Sequence, residues 1–175
     1  MSSNNIKRIS KEVKDVKKVV FVAHCILNQY ARAIGVRAKT DALVVPLLKF
    51  LVYKNCAIVQ MPCPEIEYEG LVRVASGRRK YDTPEYRVIC RRIAEKVVNL
   101  IEEYQKMGFK IVVLGVDGSP SCGVNFWGRR WIREKGIFIE ELEFIMRSRN
   151  IHVPLIGVNI MRVYETIKEL SGVLV

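Results

Sequence analysis

The sequence predicts an α/β fold, a three-layer sandwich whose mostly parallel, Rossmann-like sheet carries helices on both faces. Short runs rich in β-branched residues alternate along the chain with segments that repeat apolar residues at helical spacing. The run ending at Val116 is continuous in apolar residues, as a strand covered on both faces should be. Three of the short runs stop at or just before a cysteine, Cys25, Cys63 and Cys122, so parallel strands would bring three thiols to one sheet edge. The carboxyl edge is where open α/β sheets place their ligands.

The elements follow in order. Residues 1–17 are polar and lysine-rich and read as a basic lead-in, ahead of a single α/β domain over 18–175. Lys18 to Cys25 is the first strand, and Ile26 to Lys39 lacks a steady period and reads as loop. Pro46 opens a helix over Leu47 to Lys54, because proline suits the first helical turn and Leu47, Leu48, Leu51 and Val52 recur on one face. The second strand is Cys56 to Pro62, followed by a polar loop through Gly70, Gly77 and Tyr81. Thr83-Pro84-Glu85 combines a hydroxyl cap, a proline and an early acid, and Ile89, Ile93, Val97, Leu100 or Ile101, and Tyr104 continue a helix until Gly108. Lys110 to Val116 is the third strand and Gly118 to Gly136 a loop. A helix over Phe138 to Arg149 precedes a fourth strand, Val153 to Ile160, which Pro154 assigns to a sheet edge. Met161 to Leu170 closes the chain, with Gly172 past its end.

Length and composition bound the function. The 175 residues suffice for a core without staples, and no apolar run approaches the roughly 20 residues of a spanning helix. The opening residues lack a signal-peptide apolar segment, so a cytoplasmic chain with no membrane partner is expected. Five cysteines, an odd number with no export signal, argue against a disulfide framework and for reduced thiols or thiolate ligands. Cys56 and Cys90 read as small buried apolar residues. The net charge of +11 points to anionic partners or to a solvated basic surface.

Three motifs surround the edge thiols: His24-Cys25-Ile26-Leu27-Asn28; Pro62-Cys63-Pro64-Glu65 with Gly70-Leu71-Val72-Arg73 behind it; and Ser119-Pro120-Ser121-Cys122-Gly123. Together they resemble the thiouracil desulfidase (TudS-like) family over about residues 20 to 160. The resemblance implies that Cys25, Cys63 and Cys122 hold a [4Fe-4S] cluster whose fourth iron is open. It further implies that this iron takes the sulfur of a thiolated nucleobase or related thioamide and that hydrolysis replaces the sulfur by oxygen. Pro62, Pro64 and Pro120 would hold the ligands before the cluster arrives, and Gly118 and Gly123 would let backbone approach inorganic sulfide. Glu65, two residues past Cys63, is the expected general base. Ser119 and Ser121 are expected as catalytic proton donors, the choice between them open. After Leu27 the chain runs Asn28-Gln29-Tyr30-Ala31-Arg32, where the family usually continues into a glycine and a second cysteine. His24, Asn28 and Arg73 are therefore the candidate substrate contacts.

Other chemistries fit less well. A zinc site from Cys25, Cys63, Cys122 and His24 lacks the closely paired ligands of structural zinc. The alternative to an enzyme is a basic RNA-binding or redox-sensing protein with a structural metal or Fe-S site. Its phosphates would meet Arg78, Arg79, Arg129 and Arg130, and its bases Tyr81, Trp127 or Trp131. The two readings meet if the thiolated base is presented within transfer RNA.

Overall fold

Four parallel strands form one sheet in the order β2-β1-β3-β4: β1 is Lys18–Ala23, β2 Ala57–Met61, β3 Lys110–Val116 and β4 Leu155–Val158. The computed structural model describes residues 18–36, 41–128 and 133–174. The basic lead-in and Arg129, Arg130 and Trp131 lie outside the described residues. Seven helices are described: α1 His24–Leu27, α2 Val45–Tyr53, α3 Pro64–Glu69, α4 Arg78–Tyr81, α5 Pro84–Lys106, α6 Ile137–Ser148 and α7 Val163–Val173.

The chain steps from β1 to β2 in one direction and then crosses back to β3. Right-handed crossovers therefore put α2 on one face of the sheet and α5 on the other. The packing agrees, since α5 lies against α6 and α2 lies against α7. The central strands are sealed between these layers, with Val19 to Val22 and Val113 to Leu114 at 0% exposure. Pro154 sits just before edge strand β4 and uses its carbonyl, which accepts from Val113 N at 2.9 Å, so its missing N–H leaves nothing unpaired.

α5 begins where the sequence predicts, with Thr83 Oγ1 accepting from Tyr86 N at 3.2 Å, and ends at Lys106, two residues before Gly108, whose φ of +80° lets Phe109 N bond back to Tyr104 O. Its buried face runs Tyr86, Cys90, Ile93, Ala94, Val97, Val98 and Ile101, so Ile101 rather than Leu100 is the core residue. Cys90 is the buried apolar residue expected of it, and Cys56 is half-buried.

Several boundaries differ from expectation. The first strand stops at Ala23, and the chain winds into α1, so Cys25 is helical rather than extended. The segment read as a polar loop after β2 contains α3 and α4, nucleated by Pro64 at the first helical position and by local turns. Val52 is 70% exposed although its spacing placed it on the buried face of α2. Gly172 lies inside α7, which starts later and runs further than its apolar period suggested.

Candidate functional site

β2, β1 and β3 are neighbours in strict register, Val22 facing both Gln60 and Leu114, so their carboxyl ends finish at one level. Cys25 follows β1 as the second residue of α1, Cys63 follows β2 as the cap of α3, and Cys122 lies in the loop after β3. The strand order reverses between β1 and β3, the switch point at which a crevice opens in such sheets. The three cysteines line one cavity of about 290 Å³ there, together with Arg32, Ala33, Val36, Glu65, Arg73, Asp117, Ser119 and Pro120 among others.

The loop after β3 is folded back by its own backbone. Val116 N donates to Cys122 O at 2.8 Å, which lays Cys122 against the strand it has just left. Room for this exists because residue 115 is glycine: a Cβ there would sit 2.2 Å from Cys122 O. Asp117 closes the turn, its Oδ1 accepting from Val124 N and Asn125 N and its Oδ2 from Asn125 Nδ2. Gly123 serves this same internal packing, since a Cβ on it would lie 2.3 Å from Phe126 O. The side of Gly123 that a side chain would occupy is filled by the loop itself. Gly118, at φ +87°, does line the cavity.

Glu65, 8% exposed, is the hub of the polar network. Its Oε2 accepts from Arg73 Nε at 3.1 Å, and its Oε1 accepts from Ser121 Oγ at 2.9 Å and from Ser119 Oγ at 3.4 Å. Arg73 reaches on to Cys63 Sγ with Nη2 at 3.9 Å, and its Nη1 is buried without a hydrogen-bond partner. Ser119 Oγ accepts from the backbone N–H groups of Ser121 at 3.2 Å and Cys122 at 3.0 Å. Both its lone pairs are thus engaged, and its one proton is directed at Glu65 or at whatever occupies the cavity. Ser121 is fully buried and is not part of the cavity wall; its Oγ lies 2.6 Å from Tyr86 OH.

The thiols shape each other's ionisation. Desolvation, with Cys63 beside it, pushes the Cys25 thiol up to about 12. Burial also raises Cys122 well above the ordinary thiol range, helped by Cys63 and Cys25, and raises Cys63, helped by Glu65. Such thiols stay protonated at neutral pH unless a cationic group supplies the missing positive charge, as a bound metal centre does. Among the described residues no three His, Cys, Asp or Glu side chains converge closely enough to hold one metal ion. The zinc reading needs His24 as its fourth ligand, but His24 is not part of the cavity wall and its Nδ1 lies 2.6 Å from Gln60 Nε2.

Of the residues nominated from sequence, Cys25, Cys63, Cys122, Glu65, Ser119 and Arg73 share the cavity. Ser121 lies directly behind it. His24 and Asn28 are not brought to its wall, because α1 turns the chain immediately after β1. Of the four described members of the RNA-facing set, Arg78, Arg79, Tyr81 and Trp127, three are engaged within the protein. Arg78 binds Lys135 O, Asp82 and Glu140, Tyr81 is fully buried with its hydroxyl on Glu69, and Trp127 Nε1 donates to Glu134. Sequence reasoning missed Tyr86, which its helical period marks only as core, and Arg32, which lies in the stretch after Leu27 that departs from the family pattern.

Fold and site together define a parallel α/β protein with a thiol-lined cavity and a buried carboxylate at the switch point of its sheet. The chain belongs to the family described as "Putative 2-thiouracil desulfurase", whose model matches residues 17–150, and it is an enzyme of that family. It is similar to the uncharacterized protein MJ0003 of Methanocaldococcus jannaschii, 29% identical over 140 residues that cover 80% of this chain and 85% of that protein. Among solved structures it is similar to a [4Fe-4S]-dependent thiouracil desulfidase, TudS, at 19% identity and a TM-score of 0.48, over 89% of this chain and 99% of that one.

Proposed function

We propose that this chain removes sulfur from a thiolated nucleobase or related thioamide by hydrolysis, with Cys25, Cys63 and Cys122 holding a [4Fe-4S] cluster. The observation that carries the reading is the single cavity lined by three soft donors from three strand ends, with Glu65 beside them. The donor set suits such a group: three desolvated thiols from three strand ends line one cavity, ready to exchange protons for a cationic centre. When bound, a cluster with three protein thiolates leaves one iron to polarise the substrate's sulfur as a Lewis acid.

The chain's own residues then handle the protons. Glu65 takes a proton from water as the water oxygen forms its bond to the thiocarbonyl carbon. The carbon–sulfur bond breaks, its electron pair leaves with sulfur, and the products are the carbonyl compound and hydrosulfide, with no net oxidation or reduction. Ser119, whose oxygen is stabilised by two backbone N–H groups, is the serine suited to give and recover a proton at the ring. Ser121 supports Glu65 from behind. Arg73 holds Glu65 in place through its Nε, and its unpartnered Nη1 favours an acceptor-bearing occupant. Arg78, one of the arginines nominated for phosphates, is held in ion pairs with Asp82 and Glu140.

Anaerobic reconstitution tests the cofactor and should give about four irons per chain. Glu65→Gln tests the base: it should keep the iron and lose sulfide release from 2- or 4-thiouracil by at least about a hundredfold. An iron-free protein after reconstitution removes the cluster, and unchanged sulfide release removes Glu65.

A further inference from the structure

We infer that Tyr86 is a positioning residue for this reaction, the fixed end of a hydrogen-bond chain, Tyr86 to Ser121 to Glu65, that holds Glu65 Oε1 toward Ser119 and the cavity. The inference rests on the reading of Glu65 as the base.

The direction of the chain follows from counting protons. As the ion partner of Arg73, the Glu65 carboxylate only accepts, so the proton of Ser121 Oγ goes to Oε1 at 2.9 Å. The 2.6 Å contact between Ser121 Oγ and Tyr86 OH must then run the other way, with Tyr86 donating. Each hydroxyl has one proton and each is assigned. Glu65, Ser121 and Tyr86 are all buried, Ser121 and Tyr86 completely, so the chain ends in the core and not at water. It has no outlet through which to drain a proton. What it does is orient, and the proton that Glu65 takes from water must return to the reacting molecules.

Tyr86 is itself held from three sides. It lies in the first turn of α5, where Thr83 caps its N–H. Its ring stands 4.9 Å from that of Tyr81 and 5.2 Å from that of Tyr68, centroid to centroid. Tyr81 OH in turn donates to Glu69, so α3, which carries Glu65, is tied to the same cluster of rings. A hydroxyl anchored this way is a rigid reference point for a carboxylate on a six-residue helix.

The experiment compares Tyr86→Phe, Ser121→Ala and the double variant after reconstitution. Expected are wild-type iron and acid-labile sulfide, KM within about twofold, kcat lower by about tenfold in each single variant, and a double variant no slower than the singles. A crystal structure of Tyr86→Phe should show Ser121 rotated and its bond to Glu65 lost, a readout independent of activity. Replacing Tyr86 by 3-fluorotyrosine, which keeps the donor and the shape, should restore the rate. An unchanged kcat, multiplicative losses in the double variant, an undisturbed Ser121–Glu65 bond, or loss of iron in Tyr86→Phe would each overturn the inference. Failure of the wild type to release sulfide would instead sink the functional reading, with the crystallographic outcome still deciding whether Tyr86 orders the chain.

Discussion

Replacing Gly115 by alanine adds one methyl group at the place where the cysteine loop returns to its strand. The new Cβ would stand 2.2 Å from Cys122 O and 2.7 Å from Val124 Cγ2. The valine can rotate away, but the carbonyl is fixed, because it accepts from Val116 N at 2.8 Å. Contacts of real Cβ atoms stop near 3.0 Å, so strand and loop must part by about 0.8 Å, breaking that bond. Overpacking costs about 1–3 kcal/mol, and here the upper end applies since backbone rather than side chain has to yield. At about 2–4 °C per kcal/mol for a chain of this size, the melting temperature should fall by about 6–12 °C. The same displacement carries Cys122 away from Cys25 and Cys63, so iron uptake on reconstitution should fall even at temperatures where the variant is folded. Thermal unfolding followed by circular dichroism, paired with an iron assay at 20 °C, reads both effects. A variant with the wild-type midpoint and full iron content would refute the claim that this close approach sets the position of Cys122.

Ile101→Ala should cost about 2–5 kcal/mol by leaving a cavity under α5, whereas Leu100→Ala, at 36% exposure, should cost under about 1 kcal/mol; denaturant midpoints separate the two. Ser119→Ala should keep the iron yet lower kcat by about a hundredfold, measured as sulfide released per chain. Asp82→Asn should reduce stability modestly at pH 7 and by less at pH 3. The hydrogen bond from Arg87 holds the Asp82 carboxyl below the usual range, so its contribution is complete above about pH 4 and fades as pH falls through the lowered value. Urea titrations at the two pH values check this.

Much of the site was written in the chain as local signal. β-branched runs that break at cysteine forecast where β1, β2 and β3 end, and parallel pairing turned those ends into one edge. Pro64 and Glu65 beside Cys63 and the Ser119–Cys122 run pointed to groups that do share a cavity. Tyr86 was illegible for a physical reason: in sequence it is one more apolar position on an amphipathic helix, and only its distance to Ser121 reveals the hydroxyl's role. His24 was misplaced because a strand was extended through a residue that turns into α1.

Hydrophobic period, caps and breakers, acting over a few residues, were enough to specify a parallel α/β sheet and to nominate its thiols. Contacts between residues tens of positions apart decided the rest: that Ser119 faces the cavity while Ser121 lies behind it, that Arg73 belongs to Glu65, and that Arg78 and Tyr81 are committed to the protein's own acids. Hydrogen bonding and burial depend on distance through space, which a linear order of residues does not contain until the sheet brings its ends together.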